Sequence, residues 1–191
     1  MEDRHQIEQI PAVVHDDEYL RIMRVGHYRY AERKGKDSVA FILFDDSRFR
    51  NGFNFGLIHE FKPPIRSWLT TAYGGSIDSN LPLNRLVQRE VEEEAGLKVT
   101  MDAIISMGSY FVSTQMNQFC HLFIAHVNPL YLLSTDKRAA ENTDALERLS
   151  SPVWLTEDQV RGTQCWKAQI ILNRHLINKG ANHGIELNQP R

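Results

Sequence analysis

Three glutamates near the end of one short apolar-spaced segment, Glu90, Glu93 and Glu94, are the residues of this 191-residue chain whose spacing could do chemistry. Leu83, Leu86, Val87 and Val91 recur at helical spacing, and at about 100° per residue Leu83, Leu86 and Val87 define one inward face. Glu90 and Glu94 fall on that face, Glu93 lies on its edge, and Glu92 points the other way. Carboxylates crowded on an inward face repel one another and lose hydration, a cost that a cation offsets. A hard divalent ion such as Mg²⁺ takes carboxylate oxygen, often with substrate phosphate completing its shell. The alternative is a solvated acidic patch. Acids at a helix C-terminus oppose the helix dipole, however, so stability alone is a poor reason for them.

Such a helix needs a start, a stop and something to face. Asp78, Ser79 and Asn80 offer helix-starting side chains, and Gly96 offers a C-terminal stop. Gly74 and Gly75 predict a tight turn ahead of the loop.

The stretch from Gly75 to Leu97 resembles the Nudix box, G-x5-E-x7-R-E-U-x-E-E-x-G-U, with U a bulky aliphatic. Gly75, Arg89-Glu90, Val91, Glu93-Glu94, Gly96 and Leu97 fill their places, and Leu81 stands where the first glutamate belongs. The resemblance implies an α/β fold, a Nudix-type α/β/α sandwich around a mixed sheet, to which the alternation in residues 1–37 adds a small N-terminal β appendage. It implies metal binding by Glu90, Glu93 and Glu94 with a backbone carbonyl of the glycine turn, Gly74 or its neighbour. The ion would be Mg²⁺, with Mn²⁺ as the alternative. Arg89 would act in catalysis beside Glu93 and Glu94. Leu81 deprives Arg89 of one expected partner, although Glu93, four residues on, can pair with it. A further acid is expected from the loop before Pro152: Glu147 first, with Glu141 and Asp144 as alternatives, each equally readable as a solvated charge.

Two further stretches resemble the ADP-ribose and nucleoside-diphosphate-sugar pyrophosphatase branch of that family. HEFKPPIRSW precedes the box, and GSYFVSTQMNQFCHLFIA follows it without that branch's Pro-Gly pair. The likeness covers about residues 19–178. It implies hydrolysis of a nucleoside diphosphate linked to another group, with ADP-ribose giving AMP and ribose 5-phosphate. NADH, a sugar nucleotide or capped RNA are alternative substrates, and Leu81 keeps a non-catalytic nucleotide-binding module in view. A homodimer is implied as well. Lys62 and Arg66 are candidates for diphosphate contacts, and Trp68 for substrate stacking. Tyr73 and Phe111 could also stack, though aromatics near loops are more often core. His59 and His121, inside strands, read as packed rather than catalytic. Arg85 points away from the metal face.

Along the chain, residues 1–37 predict a β arm of one or two strands with a bend near Gly26, residues 38–180 the main domain, and residues 181–191 a frayed tail. Ser38 to Phe44 is a continuous apolar run, the pattern of a central strand buried on both faces. Asn51-Gly52 predicts a hairpin turn leading to a strand over Phe55 to Phe61. Strands are also expected over Lys98–Met107, Phe119–Val127 and Pro152–Leu155, with Gly108 to Thr114 continuing toward a loop. Thr156 and Gln159 have capping-box spacing, and Trp166 to Ile177 is amphipathic.

Hydrophobic residues make up 42% and charged residues 24%, which is ordinary globular composition. A formal net charge of −2 argues against a general nucleic-acid or anionic-membrane surface. Two cysteines, Cys120 and Cys165, lack metal-ligand spacing and are expected in the core of a protein in a reducing, cytoplasmic setting. No apolar run reaches membrane-spanning length, and the polar start is not that of a signal peptide.

Overall fold

The computed structural model describes residues 10–33, 37–47, 51–52, 54–77, 79–127 and 151–186. Its strands are β1 (Ala12–Asp16), β2 (Leu20–Val25), β3 (Tyr28–Arg33), β4 (Ser38–Phe44), β5 (Phe55–Lys62), β6 (Ser67–Thr71), β7 (Tyr73–Ser76), β8 (Ile104–Ser113), β9 (Met116–His126) and β10 (Val153–Leu155). Helix α1 spans Leu83–Glu90 and continues as a π-helical turn over Val91–Ala95; α2 spans Glu157–Arg161 and α3 Trp166–Glu186.

β4 is the axis of a mixed sheet. It runs parallel to β9 over its whole length, from Ser38↔Cys120 to Phe44↔His126. On its other side two antiparallel strands share it: β7 takes Ser38 to Phe41, and β5 takes Leu43 and Phe44. The unbroken apolar run of β4 now has its reason. Val39, Phe41 and Leu43 join a core closed by Leu86, Val87 and Val91 of α1, while Ala40, Ile42 and Phe44 join a second core closed by Val160, Ile171 and Leu172 of α2 and α3. Both faces are covered, so no polar residue alternates. The result is an α/β fold with a mixed sheet between helical layers. Leu86, Val87 and Val91 are fully buried, each contributing about 1.5–3 kcal/mol of hydrophobic stabilisation.

The N-terminal arm is part of the same sheet. β1, β2 and β3 form an antiparallel meander whose last strand meets β9 at Ala31↔Met116. Gly26, at φ 58°, makes the tight turn between β2 and β3. Asn51 and Gly52 both have positive φ, 49° and 90°, as the hairpin turn between β4 and β5 requires.

Several expectations are corrected. Residues 98–103 are mostly irregular, with a 3₁₀ turn over Met101–Ala103, and β8 starts at Ile104. Beyond Gly108 the chain continues as strand toward the turn at residues 114–115. β8 absorbs that glycine (φ 102°) at a register shift and runs on to Ser113, held by β9. α3 continues through Gly180 to Glu186 instead of fraying there; a Cβ on Gly180 would meet nothing within 4 Å, so the glycine costs helix propensity but no packing. Among the described residues no helix is long and apolar enough to cross a membrane.

Candidate active site

Gly74 and Gly75 do not form a turn. They lie within β7, paired with Ala40 and Val39 of β4, and their lack of side chains serves close approach rather than a special φ. A Cβ on Gly74 would stand 2.7 Å from the carbonyl oxygen of Val39. A Cβ on Gly75 would stand 2.8 Å from both Cδ and Oε1 of Glu90. The Glu90 carboxylate is therefore laid across the bare Cα of Gly75, with 12% of its side chain exposed. This contact joins the two halves of the sequence motif.

The helix that delivers Glu90 differs from the ideal wheel. Pro82 is its N-cap and no side chain caps it, so Ser79 and Asn80 do not play that part. Asp78 lies outside the described residues. The α-helix ends at Glu90, and the acids that follow sit in a π turn in which the Gly96 N–H reaches back to the Val91 carbonyl. A π turn carries each residue through a smaller angle than an α turn, so Glu93 and Glu94 are rotated from their expected positions. Val91 and Ala95 stay buried through the widened turn, and Gly96 ends it in the left-handed region at φ 63°.

Glu94 faces inward. One of its oxygens is buried, and its charge, after burial itself, helps push the Tyr73 hydroxyl well above the ordinary tyrosine range. Glu93 faces outward, half exposed and 3.8 Å from Arg89. Arg89 also donates to Glu90 Oε1 at 3.3 Å. The arginine is thus held by two acids of its own helix, while Leu81 is an exposed loop residue.

The expected substrate contacts are separated. On β5, Ile58 belongs to the core beneath α1 and Leu57 to the other core, which fixes the alternation of the strand. Lys62 follows Ile58 on the α1 face and pairs with Glu60. Trp68, opposite Phe61, lies on the α3 face, stacked on His59 at 5.5 Å. There it lines a cleft of about 320 Å³ with Leu155 and Gln159. Arg66 is exposed, with a left-handed backbone (φ 48°) that ends the 3₁₀ turn Pro63–Ile65. Tyr73 is core, stacked on Phe41 at 5.2 Å. Cys120 is buried, and Cys165 is partly buried with its sulfur accepting the Ala72 N–H. Glu141, Asp144 and Glu147 lie outside the described residues.

Among the described residues no three His, Cys, Asp or Glu side chains converge as a metal cluster. The donor chemistry present, the inward carboxylates of Glu90 and Glu94, with Glu90 lying where any side chain at Gly75 would displace it, suits a hard divalent ion. His121 is packed, with 22% of its side chain exposed. It stands on β9 in the same row as Gly75, hydrogen-bonded to Ser109 at 2.6 Å and 3.8 Å from Asp37. Nothing in the sequence tied position 121 to position 75, since β4 lies between them.

No protein-family model matches the chain, and no curated protein matches it in sequence. Among solved structures, the crystal structure of an ADP compounds hydrolase shares the fold, with a TM-score of 0.58 and 14% identity over 92% of this chain and 96% of that one. At that identity the likeness establishes the architecture, an α/β fold with a mixed sheet between helices.

Proposed function

We propose that this chain is a Mg²⁺-dependent hydrolase of the Nudix kind, cleaving the phosphoanhydride of a nucleoside diphosphate linked to another group. ADP-ribose, giving AMP and ribose 5-phosphate, is the favoured substrate. The observation that carries the reading is the Glu90 carboxylate set against the bare Cα of Gly75. The box-like spacing and the fold shared with a hydrolase of ADP compounds support it.

Glu90 and Glu94 would hold the ion, with Glu93 next and a main-chain carbonyl at Gly74. Bound there, a divalent ion neutralises diphosphate oxygens and lowers the pKa of a water. The remaining work belongs to the chain. Gly75 fixes where the Glu90 carboxylate lies, and Arg89 restrains Glu90 and Glu93 together. Lys62, on the same sheet face, offers a cation to the phosphates, with Arg66 at the end of the following turn. The test is AMP release from ADP-ribose with Mg²⁺. Glu90→Gln and Glu94→Gln should each lower the rate on the order of a hundredfold or more while melting stays unchanged. Wild-type rates with Glu90, Glu93 and Glu94 all replaced by Gln would overturn the assignment.

A second reading has its own observation. Arg89 bonds to Glu90, a proposed ligand, and nothing acidic stands at Leu81 to draw it away. In that case the chain holds a nucleotide without turning it over. Thermal stabilisation by ADP-ribose with no AMP released separates the two.

A further inference from the structure

Resting on that hydrolase reading, we infer that the base of the substrate stacks on an aromatic platform made by Phe111 and Phe119, on the α1 face of the sheet. The strand register sets Gly75, Val39, His121 and Ser109 side by side across β7, β4, β9 and β8. Val39 packs in the core beneath α1, so this row presents its side chains on the α1 face. Two residues further along, Phe119 and Phe111 form the next row on that face, directly opposite each other. Tyr110, between Ser109 and Phe111, packs into the opposite core and fixes the alternation.

The two rings are tilted by 55° with centroids 5.6 Å apart, and they are 51% and 45% exposed for Phe111 and Phe119. Half of each residue is thus available to a ligand. Strands about 4.8 Å apart and residues rising about 3.3 Å put Phe119 roughly 12 Å, and Phe111 roughly 16 Å, from Gly75. A base, a sugar and two phosphoryl groups in series bridge from a ring stacked on Phe119 to the Glu90 carboxylate over Gly75. Beside the line between the two ends stand His121, hydrogen-bonded to Ser109, and Asp37, 3.8 Å from His121, polar groups where the sugar hydroxyls would fall. Trp68 cannot serve the same ligand, because its stack with His59 is on the other face. Stacking on a phenyl ring tolerates any base, so the platform selects for a nucleoside rather than for adenine.

The test compares wild type with Phe111→Ala, Phe119→Ala, the double variant and Phe119→Tyr, using AMP binding by equilibrium dialysis and steady-state kinetics on ADP-ribose. Each single Ala variant should weaken AMP binding and raise KM roughly tenfold, with kcat within about twofold and melting lowered by only a few degrees through loss of the ring pair. Phe119→Tyr should restore both. Unchanged AMP affinity in the double variant overturns the platform, and normal hydrolysis there leaves the hydrolase reading intact. AMP binding that needs both rings, in a protein that hydrolyses nothing, keeps the platform and sinks the hydrolase.

Discussion

Adjacent glycines with different neighbours provide the sharpest test of the site. In Gly75→Ala the new methyl would stand 2.8 Å from Cδ and Oε1 of Glu90. Ordinary carbon contacts begin at about 3.5 Å, so the carboxylate must retreat by about 0.7 Å or more. It is the end of a flexible side chain, and an off-rotamer shift costs only about 0.5–1.5 kcal/mol. Folding should therefore survive. A displacement near 1 Å at a reacting centre, by contrast, costs on the order of a hundredfold in rate. In Gly74→Ala the methyl meets the Val39 carbonyl at 2.7 Å, and Val39 is backbone of the central strand. That strand cannot swing aside, so stability should fall by about 1–3 kcal/mol or more. Urea denaturation and initial rates of AMP release, measured on both variants, give the comparison. The reasoning fails if Gly75→Ala keeps wild-type activity, or if it loses as much stability as Gly74→Ala.

Acid should loosen the α3 layer through His175. Burial first, then the neighbouring Lys179 and His126, lowers its pKa to about 4 from 6.5, while its ring packs 4.5 Å from Phe44. A histidine depressed in the folded state favours the fold above about pH 6.5 and loses that contribution as pH falls toward 4, a difference of about 3 kcal/mol. His175→Phe should flatten denaturation midpoints over that window; an unchanged slope refutes the assignment. Trp68→Ala, on the face away from Gly75, should leave KM for ADP-ribose within about twofold of wild type. Thr156→Ala removes the side-chain oxygen that accepts the Gln159 N–H in the α2 capping box, and should cost about 0.5–2 kcal/mol by thermal melting.

Features set by neighbours along the chain were legible in the sequence. The apolar run of β4, the Asn51-Gly52 turn, the Thr156 capping box and the Gly96 helix stop each rest on contacts within a few residues, so composition and spacing suffice to read them. The glutamates were legible as a group on one helix for the same reason. Their disposition was not, because the widened turn over Val91–Ala95 and its buried partners are fixed only when α1 docks on the sheet. The glycines were mistaken for a turn because Gly-Gly alone does not distinguish a bend from a strand that something must approach closely. Which residues face Glu90 depends on the register of β7, β4 and β9, segments far apart in sequence. A period of two shows which side chains share a face of one strand. Only packing decides which face α1 covers, and so why Trp68 is turned away from Gly75 while His121 and Phe119 are turned toward it.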